Sequence, residues 1–214
     1  MSSEKGNPAP ATTLSPTIEA RRNIAAEIRA LIDALASADL SVDMTNDLAR
    51  LMADARALVD RAPVVPGYIR RVEGALRGVG PYSELGPFTG DLHIISPSVQ
   101  LWEDGDKVMA RAIYGASCEG APGIVHGGYL AATLDELLAH VQRGALRMTV
   151  ALDMAYVAPA RLHRELTYSV WIERIEGRKA FVAGAVHDGD ILCARAQAVF
   201  VAVKPGMLAS QYFE

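Results

Sequence analysis

EGAPGIVHGGYLAATLDE, Glu119–Glu136, is a run of small and turn-forming residues that passes into an apolar helix. The helical period extends from Tyr129 to Arg143, and Gly144 ends it. At 100° per residue, Leu130, Leu134, Leu137, Leu138 and Val141 make one broad apolar face. Glu136, His140 and Arg143 fall on the opposite side, where they are expected to be solvated, with Glu136 and His140 an i,i+4 pair. Asp135 belongs to neither group and lies at the margin of the apolar face, beside Ala131 and Gln142. Asp is a poor helix-interior residue because its side chain competes for nearby backbone groups. Helix geometry alone leaves two readings, a half-exposed surface carboxylate or a group kept for chemistry. The residues before the helix favour the second. Gly123-Ile124-Val125-His126-Gly127-Gly128 brings small residues to a helix start, where unpaired N–H groups and the positive dipole end point outward. A reacting carbonyl oxygen placed there meets preorganised donors. His126 alone reads as a structural or capping group; with the two glycines and a mid-helix carboxylate it reads as part of a site.

Outward from this helix the signals are those of strands. Lys107–Tyr114 precedes it, and Met148–Val157, Glu165–Ile175, Lys179–His187 and Ile191–Val203 follow as an antiparallel meander. Glu176-Gly177-Arg178 and Asp188-Gly189-Asp190 read as tight hairpin turns. Leu192, Ala194, Ala196, Ala198, Phe200 and Ala202 face one way, and such small residues suit a sheet that wraps closely around a helix. An α+β domain is therefore expected over residues 107–204, followed by a short tail, 205–214. Upstream, 63–106 reads as a connecting segment dense in Gly and Pro, with at most a short strand at Ser98–Trp102. Residues 17–62 predict a helical hairpin. Ile24, Ile28, Leu31, Ile32 and Leu35 form one apolar stripe; Leu48, Leu51, Met52, Ala55, Leu58 and Val59 form another after a break at Ala38–Asn46. Ser15 or Thr17 is expected to cap the first helix and Thr45 or Asn46 the second, and both stripes must pack on something. Residues 1–16, rich in Ser, Thr, Pro and Ala, are expected to be a disordered leader.

Composition narrows the function. The chain has 214 residues, half of them apolar, and a net charge of −4. Without a Lys/Arg excess it does not suit phosphate-backbone neutralisation, so no nucleic-acid partner is expected. Cys118 and Cys193 show neither CxxC nor Cys/His ligand spacing, and the five histidines include no HxxxH or HxH, so no metal is expected. No stretch is long and apolar enough for a membrane span, and no secretory signal opens the chain. A cytoplasmic protein is the expectation. Gly115-Ala116-Ser117-Cys118-Glu119 lacks the second Gly of a nucleophile elbow, and neither GxGxxG nor a P-loop is present.

The segment Glu119–Glu136 also resembles the signature of the hotdog-fold acyl-CoA thioesterases of the phenylacetate-pathway type and of the related mitochondrial long-chain acyl-CoA thioesterases. Those families show a Glu-Gly-x-Pro-Gly loop, then His-Gly-Gly, then a catalytic Asp nine residues after the His. The matching residues are Glu119, Gly120, Pro122, Gly123, His126, Gly127, Gly128 and Asp135. Thr149 through Pro159 is similar to the family's Thr-x-x-Leu-x-x-x-Tyr-x-x-Pro strand, and Gly177-Arg178-Lys179 falls where relatives carry Gly-Arg-Lys. The resemblance runs from about Gly86 to Val203. Relatives of the phenylacetate branch often carry an Asn six residues before the first Gly of the His-Gly-Gly run, where this chain has Ala121, and Leu92-His93-Ile94 stands in place of an upstream Asn-Pro pair.

The resemblance implies a hotdog fold and hydrolysis of an acyl-CoA thioester. Asp135 would act as general base or nucleophile, and the backbone N–H of Gly127, with Gly128, would polarise the carbonyl. Thr149 from the neighbouring subunit would position the attacking water, and His126 would orient the loop. Glu119, Arg178 and Lys179 are expected substrate contacts, with Arg143 and Arg147 as further cations; each cation also reads as a solvated surface charge. Met148, Met154 and Tyr156 are candidates to line an acyl slot or to pack the core. No cofactor is implied beyond the coenzyme A carried by the substrate, and the partner is a second copy in a homodimer with a shared active site, with a tetramer as the further option. Hotdog hydratases and dehydratases match less well, since no second proton carrier accompanies Asp135. A non-catalytic acyl-CoA-binding or interaction protein on the same fold is the alternative.

Overall fold

The computed structural model describes residues 16–63, 86–142 and 147–203. The leader up to residue 15, the candidate cation Arg143, the helix-ending Gly144 and the tail 205–214 lie outside the described residues.

Two helices open the described chain, α1 (Pro16–Ser37) and α2 (Val42–Asp60). The second is capped by Ser41 rather than Thr45 or Asn46: the Ser41 hydroxyl accepts the Met44 N–H at 3.2 Å. The apolar stripes do not dock as expected. Helix α1 meets the rest of the chain through buried Ala25 and the polar side chains Arg29 and Asp33, while Ile24 and Leu35 stay exposed. No residue of α2 is buried, and Leu51, Met52, Leu58 and Val59 face outward in the single chain. The cause lies in the backbone that α1 covers. Its carbonyl and N–H groups need polar partners, so the helix turns its polar edge toward them.

Six antiparallel strands follow: β1 (Gln100–Asp104), β2 (Lys107–Ile113), β3 (Arg147–Tyr156), β4 (Glu165–Glu176), β5 (Lys179–Asp188) and β6 (Ile191–Ala202). Between β2 and β3 runs helix α3 (Gly127–His140). The strands β4, β5 and β6 form the expected meander through two-residue turns, in which Gly177 and Gly189 adopt positive φ. Strand β3 is not part of it. The sheet order is β1-β2-β4-β5-β6-β3, so β3 crosses the helix and pairs with β6 at the far edge. Neither Met148, Val150 nor Leu152 of this edge strand is covered.

Alternate residues of the central strands point at α3: Val108, Ala110 and Ala112, then Leu166, Tyr168 and Val170, then Ala194, Ala196, Ala198 and Phe200, all buried. Against them lie Leu130, Leu134, Leu137, Leu138 and Val141, the apolar face read from the helical period, buried as expected. Each such side chain contributes about 1.5–3 kcal/mol by leaving water. One polar cluster interrupts this core. The Tyr114 hydroxyl donates to Thr133 Oγ1 at 2.9 Å and is hydrogen-bonded to the Tyr168 hydroxyl. Burial pushes the Tyr114 phenol up to about 12, so it remains protonated as a donor.

The opposite face of α3 is not solvated. Residues 86–99 lie across it, with the Phe88 N–H donating to Glu136 Oε2 at 2.9 Å. Thr89 Oγ1 is 3.4 Å from His140 Nε2, and both residues are buried. Glu136 and His140 therefore hold a covering segment rather than forming a surface pair.

Candidate active site

The entrance to α3 is built from the loop that precedes it. A short 3-10 turn at Ala116–Cys118 presents the Cys118 carbonyl to the His126 N–H at 2.8 Å. The Glu119 carboxylate accepts the Gly123 N–H at 2.6 Å and holds the turn in which Gly123 has φ +75°. That contact makes Glu119 a loop clamp; one carboxylate oxygen is committed to the backbone. His126 is the helix N-cap, and its Nδ1 accepts the Gly128 N–H at 3.0 Å. The imidazole thus performs the capping role and removes the Gly128 N–H from the set of carbonyl-polarising donors. The Gly127 N–H has no acceptor among the described residues. The Gly127 carbonyl, in turn, accepts the Tyr156 hydroxyl at 2.9 Å. The Tyr156 ring lies 3.0 Å from where a Cβ on Gly127 would sit, which is why a residue without a side chain occupies the first position of the helix. This contact was not read from the sequence, where Tyr156 stands as an acyl-slot candidate; its place in the Thr-x-x-Leu-x-x-x-Tyr pattern was the available signal.

Two turns further along α3 is the carboxylate. Asp135 is half-buried, and Thr149 Oγ1 donates to its Oδ1 at 3.0 Å. Thr149 stands beside a register shift in β3, between Thr149 and Ala151, of the kind that re-aims a side chain. Both residues belong to one chain. The expectation that Thr149 comes from the neighbouring subunit is therefore corrected: β3 returns along α3 and brings its own hydroxyl to the helix margin. A different pair is separated instead. Gly127 and Asp135 are eight positions apart in α3, about 12 Å along the axis at the rise of an α-helix. One thioester carbonyl cannot touch both in a single chain.

Arg178 and Lys179 sit at the β4–β5 hairpin. Arg178 donates from Nε and Nη2 to the Ala202 carbonyl at 3.1 and 2.6 Å, and Lys179 is exposed. Thr149 pairs with Phe200, and Phe200 with Ala180. The two cations consequently lie at the Thr149 end of the sheet, about 10 Å away by two strand spacings. Arg147 faces Ala202 from the other side of β6, with its Nε buried. At the other end of α3, an open groove of about 540 Å³ is lined by Ala121, Ile124, His126, Gly127, Tyr156 and Pro159. Of the acyl-slot candidates, Tyr156 lines this groove, Met154 packs against the core and Met148 is exposed.

A sheet of six antiparallel strands curled around one long helix is the hotdog fold, and residues 122–198 match the family model described as the thioesterase superfamily. The resemblance read from the two motifs is thereby borne out. Among solved structures, a thioesterase superfamily protein is similar to this chain with a TM-score of 0.74 at 25% identity, over 90% of this chain and 93% of that one. Among curated proteins, the chain is similar to acyl-coenzyme A thioesterase THEM4 of Bos taurus, 30% identical over 109 residues, covering 49% of this chain and 46% of that protein. The Mus musculus THEM4 is 32% identical over 108 residues, 47% of this chain and 46% of that protein. An uncharacterized protein of Schizosaccharomyces pombe is 34% identical over 91 residues, 38% of this chain and 52% of that protein. This chain spans about half the length of the curated relatives it matches.

Proposed function

We propose that the protein is an acyl-CoA thioesterase that releases a free acid and coenzyme A, acting as a homodimer whose sites are shared between two chains. The observation that carries this reading is the Thr149–Asp135 hydrogen bond at the helix margin. A carboxylate that accepts one hydroxyl through one oxygen keeps the other for water. As general base, Asp135 takes a proton from that water while its oxygen bonds to the thioester carbonyl carbon. The carbonyl electrons move onto oxygen, where the Gly127 N–H of the opposite chain and its helix dipole stabilise the charge. Collapse restores the carbonyl and breaks the C–S bond, and the proton passes from Asp135 to the departing sulfur. As nucleophile, Asp135 would itself bond to the carbonyl carbon; collapse would break the C–S bond and expel the coenzyme A thiolate, which takes a proton from solvent, and water would then cleave the mixed anhydride to the free acid and the Asp135 carboxylate. Thr149 orients the carboxylate in either form.

Two observations support the shared site. If Gly127 and Asp135 act on one carbonyl, their separation along α3 suits a second helix running the other way. The uncovered apolar edge strand β3 is a surface that a second copy would pair with and bury. Arg178, Lys179 and Arg147 then suit the phosphates of coenzyme A, and the groove beside Tyr156 suits the acyl portion. No cofactor is needed beyond the coenzyme A of the substrate. The two free, buried thiols fit a reducing compartment such as the cytoplasm.

Free-thiol release from a panel of acyl-CoAs of graded chain length tests the reading. Asp135→Asn should lower kcat by about 10²–10⁴-fold while leaving the thermal transition in place. Undiminished hydrolysis by this variant would remove Asp135 from the mechanism. Tight acyl-CoA binding by a wild-type protein that releases no thiol would favour a non-catalytic binder.

A further inference from the structure

Helix α1 reaches the active-site loop through one carboxylate. Asp33 Oδ1 accepts two hydrogen bonds from Ser117, the backbone N–H at 2.9 Å and the hydroxyl at 2.6 Å. The carboxylate rests on Gly115, where an added Cβ would lie 1.6 Å from Asp33 Oδ2. One helical turn earlier, Arg29 Nη1 donates to the carbonyls of Asp91 and His93 at 3.0 and 2.9 Å, and Arg22 pairs with the Asp91 carboxylate at 3.8 Å, so α1 is pinned along its length. The pinned turn leads directly to the helix entrance. Ser117 precedes Cys118, whose carbonyl holds the His126 N–H, and His126 holds the Gly128 N–H. A line of hydrogen bonds, joined through the Ser117–Cys118 peptide and through His126, therefore runs from α1 to the residues on either side of Gly127.

We infer that Asp33 is a positioning residue: through Ser117 it sets where the Gly127 N–H points, and α1 is thereby part of the thioesterase site. This rests on the thioesterase reading above. The physical argument is one of alignment. A donor for a developing oxyanion acts only when its N–H is aimed within tenths of an ångström of the oxygen. Residues 123–125 of the entrance loop are held from the other side, where the Val125 N–H donates to the Ala160 carbonyl at 2.8 Å and the Leu162 N–H to the Gly123 carbonyl at 3.0 Å, whereas Asp33 anchors the Ser117 turn. Loss of the Asp33 anchor lets the 3-10 turn relax, and the His126 cap moves with it. Binding of the acyl-CoA depends on other surfaces and should be spared.

The test uses the full chain. Asp33→Ala should lower kcat about tenfold with KM within about twofold, the pattern of a lost transition-state interaction. Asp33→Asn, whose amide oxygen still accepts both Ser117 bonds, should recover to within about threefold of wild type. A merely structural role predicts a lower melting temperature with unchanged kcat, and that outcome overturns the inference, as does an Asn variant no better than Ala. Should Asp33→Ala fail to fold, Ser117→Ala removes one of the two bonds and should show the same kcat-only loss; an unchanged kcat there overturns the inference equally. The backbone amide resonances of Gly127 and Gly128, recorded without substrate, separate this from the underlying reading. They should shift in Asp33→Ala and return in Asp33→Asn, and resonances that do not move overturn the positioning role whatever the activity. If wild type hydrolyses no acyl-CoA while these resonances behave as expected, the thioesterase reading fails and the anchor stands.

Discussion

At Thr149 a single hydroxyl separates a surface aspartate from an oriented one. The Oγ–H donates to Asp135 at 3.0 Å, and a hydrogen bond to a charged group is worth about 1.5–3 kcal/mol. Thr149→Ala should therefore reduce thiol release by about one to two orders of magnitude, while Thr149→Ser, which keeps the donor, should stay near wild type. Steady-state kinetics on the two variants side by side makes the comparison, and equal rates for Ala and Ser would remove Thr149 from the chemistry. Asp135 and Thr149 were both legible as residues of a motif, but their partnership within one chain was not. The helical period says which way Asp135 points; it does not say which strand returns beside it. Asp33 was illegible altogether. It lies 84 positions from Ser117, and no local pattern links an exposed-looking helix Asp to a distant backbone N–H.

At the scale of an element, helix α3 carries two packed faces where periodicity showed one. Its core face reads directly from five apolar residues, because burial against a sheet selects for hydrophobicity. Its other face is covered by 86–99, whose contacts to Glu136 and His140 are polar and so leave no hydrophobic trace on that face of the helix. His140 records that cover. Burial lowers it from an ordinary 6.5 to about 4, so it stays neutral in the folded protein at pH values where the unfolded chain is protonated. The unfolded state therefore binds more protons between those values, and stability falls as pH drops from about 6.5 toward 4. The loss should reach roughly 2 kcal/mol at pH 5, read as a lower urea midpoint than at pH 7.5. His140→Gln should flatten this limb. A wild-type midpoint that does not change over that range would mean that the ring is hydrated. Asp188 contributes in a separate window. Arg161, at 2.6 Å, holds its carboxyl below the usual 3.8, so its contribution is present above that value and is lost only in stronger acid.

For the whole molecule, the distance between Gly127 and Asp135 ties the proposed chemistry to the proposed assembly. Asp135→Asn supplies an intact entrance, and Gly127→Pro supplies an intact carboxylate while removing the N–H, at a first helical position whose backbone suits Pro although its ring must push the Tyr156 ring aside. Each should be inactive alone. If the site is shared across a two-fold axis, random mixing after dissociation rebuilds one good site in half of the dimers, so about a quarter of wild-type activity should return. A site contained in one chain would recover nothing. Native mass spectrometry of the mixed sample, with one variant isotope-labelled, reports whether the chains have in fact exchanged.

The order of helix and strands, the core face of α3, the two hairpins and the pair of motifs were settled by sequence alone. All of these depend on neighbours a few residues apart, and local periodicity, turn chemistry and spacing carry that information. Tertiary structure decided the placement of β3 beyond β6, the pairing of Thr149 with Asp135 in one chain, the covering of Glu136 and His140, and the docking of α1 by Asp33 and Arg29. Each of these joins residues far apart in the chain through polar contacts. A hydrogen bond needs one atom in the right place, and a single atom imposes no pattern on the residues around it.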